Sequence, residues 1–307
     1  MRRLTLLTNP DKCNLRCPLC FLNQRGKPFG MGEMPIEVAK AAIEKYAEGL
    51  SGKEPCGLRE VIPSTMGEPL LYSKFAELLE YCSAKKIPLN LTTNGTFPGI
   101  WGTAAGMERL LLACSDIKVS CMGFDDPAFD EMMPGISFEP WRRNVERLLG
   151  VAHSLNAARS LCAGSATGRN IASVSLQVTL HRKLLSFAPE ILCWADSVGI
   201  ARIKWNLPVF ISAGDRLRNE YGISGLAARE IRRELEALQA QFPRVRCEGS
   251  LFFDVHLGGG PCDLFKDEIW ILPDGSEEHC PNPERRFGDS ASAGATCEKC
   301  MLFNHDL

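Results

Sequence analysis

Segments with the pattern of β-strands alternate along this chain with segments that have the pattern of α-helices, and this alternation constrains the fold more than any other feature. Six short, largely apolar runs are predicted strands. They span residues 3–8, 58–64, 88–93, 116–121, 172–180 and 201–206. Six β–α units in series predict an α/β fold whose strands form a parallel sheet with right-handed connections.

Helical periodicity fills most of the intervals between these strands. The predicted helices span residues 35–49, 72–86, 105–114, 138–152, 187–198 and 226–241. Residues 153–170 are mostly small and polar. This segment is therefore predicted to be a loop that begins with the frayed end of the preceding helix.

Two of the predicted strands keep one polar face, which distinguishes the two sheet architectures that six such units allow. Polar and apolar side chains alternate along residues 173–181, and Arg202, Lys204 and Asn206 form the polar set of the sixth strand. A parallel sheet covered by helices on both faces reads as continuously apolar. The alternation therefore favours a partial (βα)6 TIM-like barrel with a polar interior over a doubly wound sheet.

The pattern changes after residue 244, where the sequence becomes rich in Gly, Pro and Cys and loses helical periodicity. Within this stretch, Glu268–Leu272 followed by Pro273–Gly275 predicts a strand and a tight turn. We therefore predict two domains: a barrel over residues 1–244 and a small C-terminal domain over residues 245–307.

Charge and hydropathy exclude several functional classes. The formal net charge of −2 gives no electrostatic attraction to nucleic acid or to an anionic membrane. No apolar run approaches the roughly 18 residues of a membrane span, and the N-terminal apolar stretch is too interrupted for a signal peptide. We predict a cytoplasmic protein, whose fourteen cysteines are reduced thiols available as metal ligands.

Three of these cysteines, Cys13, Cys17 and Cys20, have the spacing C-x3-C-x2-C in the loop predicted to follow the first strand. Three thiolates on one short loop can hold a single four-iron cluster and leave one iron without a protein ligand. That open iron can bind a small chelating molecule. A structural zinc site uses four ligands, usually as two short pairs, so zinc fits this loop poorly.

These features resemble the radical S-adenosylmethionine (SAM) superfamily, whose cluster loop has the same cysteine spacing. Met66–Pro69 resembles the family's GEP-type turn after the second strand, and residues 92–95 end the third strand in the family manner. The segment from Gly123 to Asn144 is similar to the SPASM/twitch subgroup of that superfamily.

The resemblance implies which side chains contact bound SAM. The backbone and carboxylate of Gly67–Glu68 are expected to receive its amino group, and Ser120 its carboxylate or ribose. The other expected contacts are Phe21, Thr93, Asn94 and Gln177.

Two strand-end residues, His181 and Lys204, are the candidate catalytic side chains, because either can act as a base if the reaction removes a proton. The sequence also departs from the family pattern. Leu19 stands before the third cysteine, where the family often has an aromatic residue, and Cys121–Met122 follows Ser120 in place of an aliphatic residue and Asp. The missing carboxylate indicates a different substrate. By strand alternation, Cys121 itself is predicted to point toward the helices.

By the same resemblance, the reduced cluster passes one electron to SAM bound at the open iron. Cleavage of the sulfonium gives methionine and a 5′-deoxyadenosyl radical, which abstracts hydrogen from a substrate carbon. The expected electron donor is a flavodoxin- or ferredoxin-type protein, and the expected class is a radical SAM oxidoreductase or maturase. The protein's own part is to position the carbon and to exclude water.

Four further cysteines lie in the predicted C-terminal domain. They are Cys262, Cys280, Cys297 and Cys300. Taken alone, these four are also compatible with a structural zinc site. The spacing from Cys262 through Gly275 to Cys280 resembles the opening of a SPASM/twitch domain, and the tail is shorter than a full SPASM domain. The resemblance therefore implies a twitch-type domain with one auxiliary [4Fe–4S] cluster that accepts or passes an electron.

Two substrate classes stay open at this stage. The wider SPASM/twitch group is dominated by enzymes that modify peptides and proteins, which favours a peptide substrate. The first predicted strand begins at residue 3, so no leader-binding domain is expected before it. A small polar molecule, such as a sugar or cyclitol that is dehydrogenated or dehydrated, is the alternative. Rival classes are a non-catalytic iron–sulfur electron carrier and a zinc-stabilised binding module.

The seven clustered cysteines predict two four-iron clusters. Anaerobic reconstitution with iron and sulfide is expected to load about eight irons per chain, four for each cluster. Iron and sulfide analysis after gel filtration measures this number. Four irons per chain would contradict the auxiliary cluster. Zinc bound at the four C-terminal cysteines would indicate a structural zinc site in its place.

Overall fold

The computed structural model of the chain describes residues 2–26, 28–47, 57–64, 66–161, 170–210, 215–252 and 268–278. The four cysteines predicted to hold the auxiliary cluster lie outside the described residues. They are Cys262, Cys280, Cys297 and Cys300. The predicted division of the chain at residue 244 and the twitch-type domain after it stay predictions.

Nine strands form one sheet in the described part of the chain. They are β1 (Arg2–Leu6), β2 (Leu58–Pro63), β3 (Leu89–Thr93), β4 (Cys114–Cys121), β5 (Ser173–Thr179), β6 (Arg202–Asn206), β7 (Arg246–Glu248), β8 (Glu268–Ile271) and β9 (Glu277–Glu278). Their order across the sheet is β7-β6-β5-β4-β3-β2-β1-β8-β9, and only the β8–β9 pair is antiparallel. The predicted α/β fold with a parallel sheet is confirmed, and this order is consistent with a partial barrel.

The six predicted strands correspond to β1–β6, whereas the pairing at the two sides of the sheet was not predicted. Strand β7 extends the sheet beyond β6. Strand β8, which the sequence places in the C-terminal domain, pairs in parallel with β1, so that Thr5 lies opposite Trp270. Chain segments that are distant in sequence therefore flank β1–β6 on both sides.

Nine α-helices occur in the described residues. They are α1 (Phe21–Arg25), α2 (Ile36–Ala47), α3 (Phe75–Ala84), α4 (Ala104–Ala113), α5 (Asp126–Met132), α6 (Phe138–Leu161), α7 (Ala188–Val198), α8 (Asp215–Tyr221) and α9 (Gly225–Gln239). The sequence did not predict the three shortest, α1, α5 and α8. Among the described residues, no helix is both long enough and apolar enough to cross a membrane.

Helix α6 corrects one prediction, because the segment predicted to be a loop from residue 153 is regular helix through Leu161. The side chains of this last part are largely exposed, as at Asn156 and Arg159. A helix that projects into water has no buried stripe to show in its sequence. Its Ala, Leu and Arg residues still favour helix by intrinsic propensity.

The sheet buries one face completely against the helices. On this outer face, the apolar members of the alternating strands are buried, and most of them have no measurable exposure. Examples are Leu4, Val61, Leu91, Ile117, Val119, Leu176, Val178, Ile203 and Trp205. Cys121 belongs to the same buried set, and its thiol donates to the carbonyl of Gly123 at 3.1 Å. The structure therefore places Cys121 in the core, on the side that strand alternation predicts.

The alternate strand residues form a connected polar layer on the inner face, here called the inner belt. Its members are Arg3, Thr5, Glu60, Asn90, Asp116, Lys118, Ser175, Arg202, Lys204, Glu248 and Glu268. Glu60 accepts from Arg3 Nε at 2.8 Å and from Asn90 Nδ2 at 2.9 Å. Asp116 pairs with both Arg202 and Lys118. Buried polar groups are stable only when partnered, so these contacts fix the strands to one another.

Two helical glycines test this packing. A Cβ on Gly106 would overlap the backbone of Ile100 and lie 2.9 Å from Trp101 Cα, whereas a Cβ on Gly150 would meet nothing within 4 Å. Gly106→Ala is expected to destabilise the fold by about 1–3 kcal/mol through overpacking. Gly150→Ala is expected to stabilise it by about 0.5–1 kcal/mol through helix propensity.

Urea denaturation of both variants measures the two changes in the free energy of unfolding. Equal effects of the two substitutions would contradict the packing described around helix α4.

Candidate iron–sulfur and cofactor site

The loop after β1 carries the three clustered cysteines and is closed by its own carbonyl groups. The amide of Cys20 donates to the carbonyl of Cys17 at 3.0 Å, and Asn23 Nδ2 donates to the same carbonyl at 2.8 Å. Arg16 Nη1 donates to the carbonyl of Cys13 at 2.7 Å. Because these donors engage carbonyl oxygens, the cysteine sulfurs are left available as ligands.

The three sulfurs share a poorly hydrated environment. Burial is the main cause that raises the pKa of all three thiols, and for Cys17 it does so to about 12, with the charges of Cys20 and Cys13 adding to the effect. Two donors approach Cys13 Sγ: the amide of Leu15 at 3.4 Å and Asn94 Nδ2 at 3.8 Å. Thiolates in such a site need a compensating cation, and bound iron supplies one.

The set of ligands that the loop offers bears on which metal group it can hold. In the part of the chain that the structure describes, no three His, Cys, Asp or Glu side chains converge closely enough for one metal ion. A four-iron cluster is a larger body, held at separate corners by separate thiolates. Cys13, Cys17 and Cys20 supply three thiolates from one loop, a donor set that fits such a cluster by its chemistry.

The turn at Gly67–Glu68 packs directly on the cysteine loop. Gly67 has φ of +74°, and a Cβ at this position would overlap the carbonyl of Asn9 and lie 2.7 Å from that of Lys12. The amide of Glu68 donates to the carbonyl of Lys12 at 2.9 Å, and Asn9 Nδ2 donates to the carbonyl of Glu68 at 2.7 Å. Only glycine allows so close an approach of the two backbones with a positive φ.

The carboxylate of Glu68 is buried and joins this turn to the end of β3. It accepts from the amide of Leu70 at 3.2 Å, from Thr93 Oγ1 at 2.8 Å and from the amide of Asn94 at 2.7 Å. Burial raises the pKa of Glu68 to about 7, although the three donors oppose that shift. The folded state therefore binds the proton more tightly than the unfolded state, and this group's contribution to stability falls as pH rises from about 4.5 to 7.

Asn94 connects β3 to the cysteine loop. Its side-chain amide donates to Asn14 Oδ1 at 2.9 Å and approaches Cys13 Sγ, while its Oδ1 accepts from the amide of Thr96 at 3.0 Å. Four of the residues expected to contact SAM, including Asn94, are thus joined around the cysteine loop. They are Gly67, Glu68, Thr93 and Asn94.

Ser120 and Gln177, two further expected SAM contacts, are direct register partners on β4 and β5. Gln177 in turn pairs in register with Lys204 on β6. All three side chains are half-buried and lie on the inner face of the sheet. They form a polar row, here called the inner row, which lies nearer the C-terminal ends of the strands than Asp116 and Arg202.

Phe21, the remaining expected SAM contact, is occupied by a different neighbour. Its ring stacks on Phe29 with centroids 5.9 Å apart, and the guanidinium of Arg25 lies 4.2 Å from the centroid of Phe29. Phe21 is half-buried. An adenine contact of Phe21 remains a prediction.

The two candidate catalytic residues have no contact with each other in the described residues. His181 Nε2 lies 2.8 Å from the carbonyl of Met122, its ring meets Tyr221 edge-on at 5.5 Å, and burial lowers its pKa. Lys204 Nζ pairs with Glu248 at 3.4 Å on the inner face. His181 is therefore built into the packing beside β4, whereas Lys204 lies in the inner row.

Some residues of the site escaped the sequence analysis. Asn9 fastens the Gly67–Glu68 turn to the cysteine loop, and its position before Pro10 is a known turn signal. Arg16 and Asn23 close the cysteine loop by donating to backbone carbonyls, and no sequence pattern predicts these hydrogen bonds. Glu248 reaches Lys204 only because β7 pairs with β6.

Comparison with known families agrees with this geometry. Residues 10–154 match the family model described as the Radical SAM superfamily. The matched range holds the cysteine loop, the Gly67–Glu68 turn, the end of β3 and Ser120. The match supports a radical SAM domain over these residues, and this family implies SAM and a four-iron cluster as cofactors.

Solved structures share the fold. Streptococcus suis SuiB superposes with a TM-score of 0.64 at 15% identity, over 91% of this chain and 60% of that chain. SuiB bound to the precursor peptide SuiA gives a TM-score of 0.66 at 15% identity, over 94% of this chain and 60% of that chain. Native anSMEcpe with bound AdoMet gives 0.60 at 14% identity, over 90% and 74% of the two chains.

At these identities the likeness is one of fold. The chain spans about 60% of the length of the SuiB chains that it matches. A search of the curated proteins finds no match.

The contact between the Gly67–Glu68 turn and the cysteine loop predicts the effect of adding a Cβ at residue 67. Gly67→Ala forces the turn away from the cysteine loop and should weaken SAM binding at least about tenfold, which corresponds to about 1.4 kcal/mol. Gly30→Ala is the matched control, because Gly30 has the same φ of +74° and a Cβ there would meet nothing within 4 Å. Equilibrium dialysis of labelled SAM against the reconstituted variants measures the affinities. A tenfold loss in both variants would attribute the effect to backbone strain alone.

Proposed function

We propose that this chain is a radical SAM enzyme that abstracts hydrogen from a carbon of a peptide substrate. The observation that carries the proposal is the packing of the Gly67–Glu68 turn on the loop of Cys13, Cys17 and Cys20. A non-catalytic electron carrier needs a cluster loop but has no use for a cofactor-binding turn fixed against it.

The chain's own residues have separate tasks in this proposal. The three cysteines hold one four-iron cluster and leave one iron open, and the Gly67–Glu68 turn with Asn94 holds SAM beside it. When bound, cluster and SAM supply a one-electron reductive cleavage that yields the 5′-deoxyadenosyl radical. The inner row of Ser120, Gln177 and Lys204 then orients cofactor and substrate on the opposite wall and keeps bulk water out.

The proposal includes a second cluster, which is inferred from the sequence. Cys262, Cys280, Cys297 and Cys300 supply four thiolates, enough to ligate a [4Fe–4S] cluster completely. A fully ligated cluster offers no open iron, so it would serve as the acceptor for the electron released when the substrate radical is oxidised. A flavodoxin or ferredoxin delivers electrons to the enzyme.

The peptide substrate is supported by fold neighbours. A SuiB structure contains the precursor peptide SuiA, and an anSMEcpe structure contains a Cp18Cys peptide together with AdoMet. A small polar substrate such as a sugar or cyclitol is the second candidate. The polar side chains of the inner row favour it, because Ser120 and Gln177 can donate to and accept from hydroxyl groups.

SAM cleavage tests the proposed class. Reconstituted protein, reduced with dithionite under anaerobic conditions and given SAM, should form 5′-deoxyadenosine. Cys17→Ala removes one of three ligands and should abolish the product, because the cluster is no longer held. Cys193→Ala is the matched control, since Cys193 is an exposed free cysteine on helix α7.

Chromatography with mass detection quantifies 5′-deoxyadenosine in each reaction. Cleavage by both cysteine variants, or by neither variant nor the wild-type protein, would contradict the radical SAM assignment. Cys280→Ala should retain cleavage and lose the modified product. Deuterium transfer from a labelled peptide into 5′-deoxyadenosine would establish the peptide substrate, and transfer from a labelled cyclitol would establish the alternative.

A further inference from the structure

The charges of the inner belt are unevenly distributed across the sheet. Four cations and two acids line the inner side of β4–β7. They are Lys118, Arg202, Lys204 and Arg246 with Asp116 and Glu248. On β8, β1 and β2, by contrast, two acids, Glu60 and Glu268, share one cation, Arg3. The wall formed by β4–β7 is therefore positive and the opposite wall is negative.

Glu248 is the carboxylate that most of these cations share. Arg246 Nη2 lies 3.1 Å from it, Lys204 Nζ 3.4 Å and Arg202 Nη1 3.6 Å. One carboxylate cannot neutralise three cations. The positive wall is therefore short of acceptors, and it retains the capacity to attract an anion.

One buried donor on this wall agrees with this shortage of acceptors. Arg202 is engaged through its terminal nitrogens with Asp116 and Ser175, yet its Nε is buried and has no hydrogen-bond partner in the described part of the chain. An unsatisfied guanidinium N–H in the interior is costly, so the wall already has more donors than the protein itself supplies acceptors.

Lys204 is the cation of this wall that is available to a ligand. Lys118 is almost fully buried and held by Asn90 and Asp116. The side chain of Lys204 is 29% exposed, and among the residues that the structure describes its one ion-pair partner is the carboxylate of Glu248 at 3.4 Å. An ammonium group has three N–H donors, so at least one stays available on the inner face.

The neighbours of Lys204 include two expected cofactor contacts. It pairs in register with Gln177, which in turn pairs with Ser120, so the three side chains form the inner row. The cysteine loop and the Gly67–Glu68 turn follow β1 and β2, nearer the negative wall. Bound SAM, with its cationic sulfonium and ammonium groups, suits that negative side. Ser120 and Gln177 are expected to contact SAM across the sheet, which leaves Lys204 as the member of the inner row for the substrate.

We propose that Lys204 binds a carboxylate of the substrate, and that the peptide substrate of this enzyme carries an Asp or Glu side chain close to the reacting carbon. The inference rests on the proposed function and adds the class of side chain that the site selects. Lys204 acts here as a binding residue that donates hydrogen bonds to an anion, instead of the base that its position in the sequence suggested.

Selection from a degenerate peptide pool tests this assignment. Reconstituted protein with SAM is equilibrated with N-acetylated, C-amidated heptapeptides that vary at every position, and the bound fraction is sequenced by mass spectrometry. The wild-type protein should enrich Asp and Glu at least about fivefold, an effect of about 1 kcal/mol. Lys204→Gln should lose that enrichment, Lys204→Arg should keep it, and Lys204→Glu should invert it toward Lys and Arg.

Lys85→Gln is the matched control, because Lys85 makes a comparable ion pair with Glu44 at 3.2 Å on the helical exterior. This variant should select acidic peptides as the wild-type protein does. No acidic enrichment by the wild-type protein, or an enrichment that persists in Lys204→Gln, would overturn the proposal. The formation of 5′-deoxyadenosine by the same preparations separates the two levels: if it forms without acidic selection, only the assignment of Lys204 fails.

Discussion

The contact between the backbone of the Gly67–Glu68 turn and the cysteine loop is the constraint on which the rest of the site depends. The Gly67–Glu68 turn, which follows β2, donates a backbone hydrogen bond to the loop that follows β1. The two backbones can approach this closely because Gly67 has no Cβ. The buried carboxylate of Glu68 then fastens the turn to Thr93 and Asn94 at the end of β3. In the proposed function, loss of this contact would separate the three cysteines that ligate the cluster from the residues that hold SAM.

The inner belt gives the site its second property, a polarised interior. Asp116 on β4 contacts Lys118 on the same strand and Arg202 on β6, and these contacts close the base of the site. The inner row lies above that base, where Ser120, Gln177 and Lys204 remain half-buried. The same alternation that buries one face of the sheet in the helices therefore supplies an inner wall with donors and charge.

Much of this architecture was predictable from the sequence, because it depends on local patterns. The apolar runs predicted all six strands β1–β6, and alternation in β5 and β6 placed Gln177 and Lys204 on the polar face. What escaped prediction depends on contacts between distant segments. Glu248 meets Lys204 only through the β6–β7 pairing, and Asn9 meets Glu68 only when the turn packs on the loop.

Short or exposed elements were the other source of error. Helix α5 is seven residues long, and its start is defined by Asp125, whose Oδ1 accepts from the amide of Ala128. Such a cap is visible in the sequence as Asp before Pro127, but seven residues are too few to establish a helical period. The end of helix α6 was not predicted for a different reason, because an exposed extension of a helix shows no apolar stripe.

The central claim is that Cys13, Cys17 and Cys20 hold a cluster whose open iron lies beside the cofactor-binding turn. Electron paramagnetic resonance of the dithionite-reduced, reconstituted protein tests it most directly, with SAM labelled with ¹⁷O in its carboxylate. The account predicts hyperfine coupling between the label and the reduced cluster of the wild-type protein. A reduced cluster that shows no coupling at saturating SAM would contradict it.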